Sequence, residues 1–249
     1  MNRYFLHLAY DGTPYHGWQR QPNDHSVQAE IEKALSTILQ TNIAVMGCGR
    51  TDTGVHAKSF YAHFELSEAV EDPSLLTHKL NTLLHSSIVV FSVLPVNSEA
   101  HARFDATSRS YEYRTVSLKD PFNVNKAYRY PVSLDIEAMN IAAAILLEYN
   151  EFGSFCKARA DNYTDLCDVT KAVWKKIDGG LVFEITANRF LRNMVRAIVG
   201  TLLEVGQGKM QPEEMRTILD QKDRQAAGRS VPAHGLYLTE VVYPKHIFL

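Results

Sequence analysis

The sequence predicts an α+β protein, and three features of the chain carry that expectation. Residues up to 94 read as strand, helix, strand, strand, helix, strand, the order of the split βαβ unit of ferredoxin-like domains. A glycine-rich polar loop, Gly47-Cys48-Gly49-Arg50-Thr51-Asp52-Thr53-Gly54-Val55-His56-Ala57, sits between two of those strands. Beyond this half the alternation of strands and helices repeats with less regular spacing.

Residues 3–10 alternate apolar and aromatic side chains enough to form a strand. The next stretch, from Asp11 to Pro22, is punctuated by glycine and proline and carries Trp18 and Arg20. Two uses of Trp18 are open: tucked into the core, or offered as a stacking face beside Arg20. Ser26 is placed to cap a helix running to about Gln40, with Val27, Ile31, Ala34, Leu35, Ile38 and Leu39 on one side. Strands are expected at about 43–47 and 58–66, flanking the glycine loop. Pro73, suited to a first helical turn, opens a helix to about Leu84. Ile88-Val89-Val90-Phe91-Ser92-Val93-Leu94 is the strand that follows.

From His101 to Arg114 the pattern has a period of two, which puts Arg103, Asp105 and Thr107 on one face and Phe104 and Ala106 on the other. Arg109, Tyr111 and Tyr113 also share a face. Core tyrosines in a half-buried strand are one account of them; an arginine beside two aromatics on a sheet also suits a stacked base. A helix is expected over 134–147, then strands near 166–177 and 181–187 joined by a hairpin at Asp178-Gly179-Gly180. The polar loop from Lys157 to Thr164 is either a solvated surface or a basic track for a phosphate backbone.

A helix starting near Asn188 would hold Arg189, Arg192 and Arg196 within an arc of roughly 60°, opposite Phe190, Leu191, Met194, Ile198 and Leu202. Such a stripe is ordinarily a solvated face. None of the three arginines has an acidic residue four positions on, which leaves their charge for a phosphate or for a carboxylate such as Asp52. Gly200 continues the stripe and leaves room for close approach. A last helix over 212–221 leads to a turn-rich crossing, Ala227 to Leu238, and a closing strand ending near Tyr243.

The 249 residues are enough for one large domain or two small ones, and 45% hydrophobic with 22% charged residues is ordinary for a soluble globular protein. No apolar run is long enough for a membrane span, and the N-terminus is too short and polar for a signal peptide. The three cysteines, Cys48, Cys156 and Cys167, form no C-x-x-C pair, which argues against a disulfide framework or structural zinc and fits a reducing cytoplasm. Net charge is -2, so a nucleic-acid partner would need the positive charge gathered on one face.

The glycine loop admits three readings. It is a turn in which Asp52 or Thr51 accepts backbone bonds. It is a phosphate loop, although G-x-G-x-x-x-x-G meets neither the dinucleotide nor the G-x-x-x-x-G-K-[ST] pattern. Or Asp52 is a nucleophile or acid/base, with Arg50 favouring its ionised form. The loop alone does not decide between the first and the third.

Taken together, Tyr10-Asp11-Gly12-Thr13 with Gly17-Trp18-Gln19-Arg20, Gly49-Arg50-Thr51-Asp52 with Gly54-Val55-His56-Ala57, His101-Ala102-Arg103-Phe104, Arg109-Ser110-Tyr111-Glu112-Tyr113, Arg189-Phe190-Leu191-Arg192-Asn193-Met194-Val195-Arg196 and Ala233-His234-Gly235-Leu236 resemble the tRNA pseudouridine synthase A family. The motifs run in one order across nearly the whole chain. The resemblance implies two ferredoxin-like halves, 1–108 and 109–249, sharing a mostly antiparallel sheet with an RNA cleft between them. It implies isomerisation of uridine to pseudouridine at positions 38, 39 and 40 of the tRNA anticodon stem-loop, by a homodimer that needs no cofactor and no metal. Asp52 matches the family's catalytic aspartate, Tyr111 the tyrosine stacked on the target base, Arg196 the arginine paired with the aspartate and Arg50 the arginine beside it. Arg109, Arg189 and Arg192 are the expected further contacts to RNA. Thr53, Lys58-Ser59 and Gly228-Arg229-Ser230-Val231-Pro232 depart from the family's usual residues. A non-catalytic RNA-binding module and a nucleotide-dependent enzyme are the competing functional readings.

Overall fold

The computed structural model describes residues 1–22, 24–157 and 164–249, and the middle of the basic loop between Lys157 and Thr164 therefore lies outside the described residues. The chain forms two compact units, residues 1–107 with 237–249, and residues 108–236.

The first unit has the expected order: β1 (Asn2–Tyr10), α1 (Val27–Leu39), β2 (Met46–Gly47), β3 (His56–Leu66), α2 (Pro73–Leu83) and β4 (Ile88–Val96). β1 lies antiparallel between β3 and β4, and β2 pairs antiparallel with β3, which is the ferredoxin-like arrangement. Local chemistry sets the helix starts. The Ser26 hydroxyl accepts from the Ala29 amide at 3.3 Å, and the Asp72 carboxylate accepts from Ser74 and Leu75 just before Pro73. One face of the sheet buries Tyr4, Leu6, Leu8, Phe60, Ala62 and Phe64, and α1 and α2 bury Ile31, Leu35, Leu76 and Leu80. From Tyr237 on, β9 (Leu236–Val242) belongs to this unit, because His56 and Ala57 of β3 pair in parallel with Tyr237 and Leu238.

The stretch 101–105 is not the strand that its alternation suggested. It is a turn closed at both ends: the His101 amide donates to the Asp105 carboxylate at 2.7 Å and the Asp105 amide to the His101 carbonyl at 3.0 Å. The His101 ring accepts from the Arg103 and Phe104 amides within that turn, so side-chain acceptors compete with a ladder and win.

Behind this turn, His63 is buried and its Nδ1 accepts from the Ala102 amide at 3.1 Å. Burial first, then the neighbouring His101 and Arg3, push its pKa down to about 4. Between pH 6.5 and 4 the unfolded chain therefore holds a proton that the folded chain refuses, so stability is present above that window and is lost as pH falls through it. The expected slope is about 1.4 kcal/mol per pH unit for one proton. Denaturant unfolding of a His63→Asn variant, whose side-chain oxygen can replace the Nδ1 acceptor, is expected to show a flatter dependence across that window; an unchanged slope would assign it elsewhere.

The second unit repeats the alternation: β5 (Ser108–Val116), β6 (Tyr128–Arg129), α3 (Ile136–Ile145), β7 (Val169–Ile177), β8 (Gly180–Ala187), α4 (Met194–Gly206) and α5 (Glu214–Gln221). β8 lies antiparallel between β5 and β7, and the turn at Asp178 and Gly179 joins β7 to β8 as its residue types require. α4 is the core helix of this unit, with Ala197, Ile198, Leu202 and Leu203 fully or almost fully buried. It starts at Met194 rather than near Asn188, because Asn193 is left-handed at φ 68 and stops the helix there. Arg189 and Arg192 thus lie in the segment before α4, and only Arg196 is on it. The single helical stripe of three arginines is not formed.

Candidate active site

In the first unit the glycine loop leaves β2, crosses residues 48–55 and enters β3 at His56. Burial alternates along it: Arg50 exposed, Thr51 buried, Asp52 half-buried, Thr53 exposed. The Thr51 carbonyl accepts from the Trp18 amide at 3.2 Å, and the Asp52 carbonyl accepts from the Val55 amide at 3.1 Å. The Thr51 hydroxyl is 2.9 Å from that of Tyr10, at the end of β1. The carboxylate of Asp52 is therefore carried on a loop whose main chain is fastened just before and just after it.

The 11–18 stretch is the bracket for this loop. A side chain at Gly12 would place its Cβ 2.0 Å from the Val55 carbonyl oxygen, and one at Gly17 would place it 2.4 Å from the Thr51 oxygen. Gly17 also sits at φ 91, so it alone of the residues there can turn the chain and lie flush against the Asp52 segment. Trp18 is in the core, 1% exposed and stacked on Phe60 at 4.1 Å, so it offers no stacking face at the surface. His56 closes the loop. It is buried, its Nδ1 lies 3.0 Å from an Asp11 oxygen and 3.1 Å from the Gly12 amide nitrogen, and its ring stacks on Tyr237.

In the second unit, Arg109 and Tyr111 project from the start of β5 beside the end of β8. Tyr111 is half-buried, with the Phe190 ring edge-on at 5.1 Å and 87°. Arg109 Nη1 donates to the Asn188 carbonyl at 2.7 Å. Tyr113, next on the same face, is core: it is fully buried, donates to the Pro232 carbonyl at 2.8 Å, and burial pushes its phenol pKa up. The two accounts of these tyrosines thus divide between them, and of the two only Tyr111 is half-buried rather than core.

The arginines after β8 have different surroundings. Arg189 Nη1 donates to the Thr164 carbonyl at 3.3 Å, Arg192 is exposed, and Arg196 Nε donates to the Val231 carbonyl at 2.8 Å. The structure places Arg50 and Asp52 in the first unit and Arg109, Tyr111, Arg189, Arg192 and Arg196 in the second. Tyr10, Thr51, Gly17 and Phe190, which brace Asp52 and Tyr111, were visible in the sequence only as members of motifs. Among the described residues no three His, Cys, Asp or Glu side chains come together to hold a metal ion, and no helix is long and apolar enough to cross a membrane.

Comparison with known proteins decides what this constellation belongs to. The family described as tRNA pseudouridine synthase matches residues 7–105 and 142–244. The chain belongs to that family. The matched residues include Arg50, Asp52, Arg189, Arg192 and Arg196, whereas Arg109 and Tyr111 fall in the intervening stretch. Relatives named tRNA pseudouridine synthase A align along the full chain. That of Bacteroides thetaiotaomicron is 52% identical, covering 100% of this chain and 93% of the relative. That of Parabacteroides distasonis is 49% identical, covering 100% and 98%, and that of Porphyromonas gingivalis 49%, covering 100% of both.

Of the segments expected to depart from the family's usual residues, 228–232 does hold an assigned arginine: Val231 exchanges bonds with Arg196. Thr53 and Lys58 are exposed, with Lys58 Nζ 5.6 Å from the centre of the Tyr237 ring, and Ser59 Oγ lies 3.0 Å from His7 Nε2.

Proposed function

We propose that the chain isomerises uridine to pseudouridine at positions 38, 39 and 40 of the tRNA anticodon stem-loop, with Asp52 as nucleophile. The observation that carries this reading is the full-length likeness to tRNA pseudouridine synthases A, and a half-buried carboxylate on a fastened loop agrees with it. In the reaction the C1′–N1 bond breaks, the freed uracil turns, and C5 bonds to C1′. The C5 proton leaves and N1 takes one up, so atoms and electrons balance without an external co-reactant. An ionised carboxylate can assist by attacking base or sugar or by taking up a sugar proton. Arg50 and Arg196 are the cations assigned to act beside it.

The target base must leave its stack, and the half-buried Tyr111 ring, packed edge-on by Phe190, is assigned to supply a replacement face. Arg109, Arg189 and Arg192 are assigned to the RNA. On this reading residues 1–108 supply the nucleophile loop and 109–249 the tyrosine and the basic segment, both contacting the same RNA, and the enzyme works in the cytoplasm as a homodimer.

The test is incubation of the protein with unmodified tRNA carrying tritium at uracil C5, with no cofactor added. Release from anticodon-arm uridines is expected; tight binding without release would make the chain an RNA-binding module instead. Arg192 is exposed and is assigned to a phosphate. Arg192→Ala is therefore expected to weaken tRNA binding and to lower the slope of log affinity against log salt by about 1. A salt titration showing the parental slope would remove Arg192 from the RNA contacts.

A further inference from the structure

We infer that Tyr10 is a positioning residue for the isomerisation, acting through the Thr51 hydroxyl to fix how Asp52 leaves its loop. The inference rests on the role given to Asp52 above. Tyr10 ends β1, is 4% exposed, and has its ring against Phe60 at 5.5 Å. Its hydroxyl lies 2.9 Å from Thr51 Oγ1, in a part of the core closed to water. Thr51 is 8% exposed and Asp52 is the next residue along.

A buried tyrosine hydroxyl ordinarily finds some partner, so the bond alone would mean little. What distinguishes this one is where its partner sits. The two main-chain bonds, Trp18 to Thr51 and Val55 to Asp52, hold the carbonyls of the loop. The hydroxyl pair holds a side chain on the residue that precedes the nucleophile, an anchor that neither main-chain bond supplies. Gly17 blocks retreat on the bracket side, because its neighbours are the Thr51 carbonyl at 2.4 Å and the Thr53 nitrogen at 3.3 Å from any Cβ placed there. Slack introduced at Thr51 is passed to Asp52, and misplacing a reacting group by about 1 Å costs on the order of 100-fold in rate.

The experiment measures tritium release in single turnovers at saturating enzyme, together with tRNA Kd and melting midpoint. The variants are Tyr10→Phe, Thr51→Val, Thr51→Ser and the double variant Tyr10→Phe/Thr51→Val. Tyr10→Phe and Thr51→Val are each expected to slow the reaction by roughly 10- to 100-fold with tRNA Kd unchanged. The double variant should be no slower than the slower single one, and Thr51→Ser, which keeps the hydroxyl, should recover the rate. Tyr10→Phe removes one oxygen and keeps the ring, so it remains informative if Thr51→Val does not fold. A lower melting midpoint with an unchanged rate would make the pair merely structural and overturn the inference, as would multiplicative losses in the double variant. Release by the parent undiminished in Tyr10→Phe would overturn this inference alone. No release by the parent would overturn the functional reading and this inference with it.

Discussion

Asp52→Asn is expected to abolish tritium release from the anticodon-arm uridines, by more than roughly 10⁴-fold, with folding and tRNA binding intact. The substitution keeps the size of the side chain and replaces one oxygen with an amide nitrogen, which removes the charge and the nucleophile together. The loop keeps fastenings that the substitution leaves in place: the Tyr10–Thr51 hydroxyl pair and the carbonyls of Thr51 and Asp52. Melting midpoint and tRNA Kd are thus expected to match the parent, and single-turnover release is the quantity that changes. Turnover at a parental rate would take the nucleophile's role from Asp52. A large drop in melting midpoint would instead mean that the carboxylate holds the loop, and its loss would then say nothing about chemistry.

The parts of this fold that were legible in the sequence are those in which one residue's own chemistry decides the matter. Ser26 before an apolar stripe, Pro73 after an aspartate, and Asp178-Gly179 between alternating runs each specify local backbone, and the structure has a helix start, a helix start and a hairpin there. The failures come where a longer-range partner or a backbone angle decides. The apolar period runs unbroken through 188–202, yet Asn193 adopts φ 68 and holds Ser230 Oγ, 37 residues on, through its side-chain amide at 2.6 Å. His101 and Asp105 satisfy a turn from within and suppress an otherwise plausible strand.

The candidate site was legible in a similarly divided way. Residue chemistry left Asp52 open between a turn and a nucleophile, and only the ordered set of motifs favoured the second. The bracing of the loop was not readable at all, since Tyr10 meets Thr51 across 41 residues and Gly12 and Gly17 look like ordinary turn glycines until the Val55 and Thr51 carbonyls are seen against them.

Gly200 gives the same lesson in the second unit, and Gly200→Ala is expected to destabilise the protein by about 4 kcal/mol, lowering the melting midpoint by roughly 10 °C. Taken as a helix position alone, the change should be favourable, since alanine is a better helix former by about 1 kcal/mol. Packing reverses the sign. A Cβ at Gly200 would lie 1.8 Å from the Arg229 carbonyl oxygen and 2.9 Å from its carbon, and these are main-chain atoms with no rotamer to change. The crossing that carries Arg229 is also fastened on both sides. The Gly228 amide donates to Thr201 Oγ1 at 2.9 Å, Val231 exchanges bonds with Arg196, and the Pro232 carbonyl accepts from Tyr113. Lifting it clear of a methyl group strains or breaks several of these at once, and it moves Arg196, so tritium release is expected to slow as well. Gly49→Ala is the matched control: nothing lies within 4 Å of a Cβ there, and its melting midpoint should stay at the parental value. Calorimetry of the two variants decides the matter. A Gly200→Ala protein that melts with Gly49→Ala would mean that the crossing yields freely, and that Arg196 is not held by it.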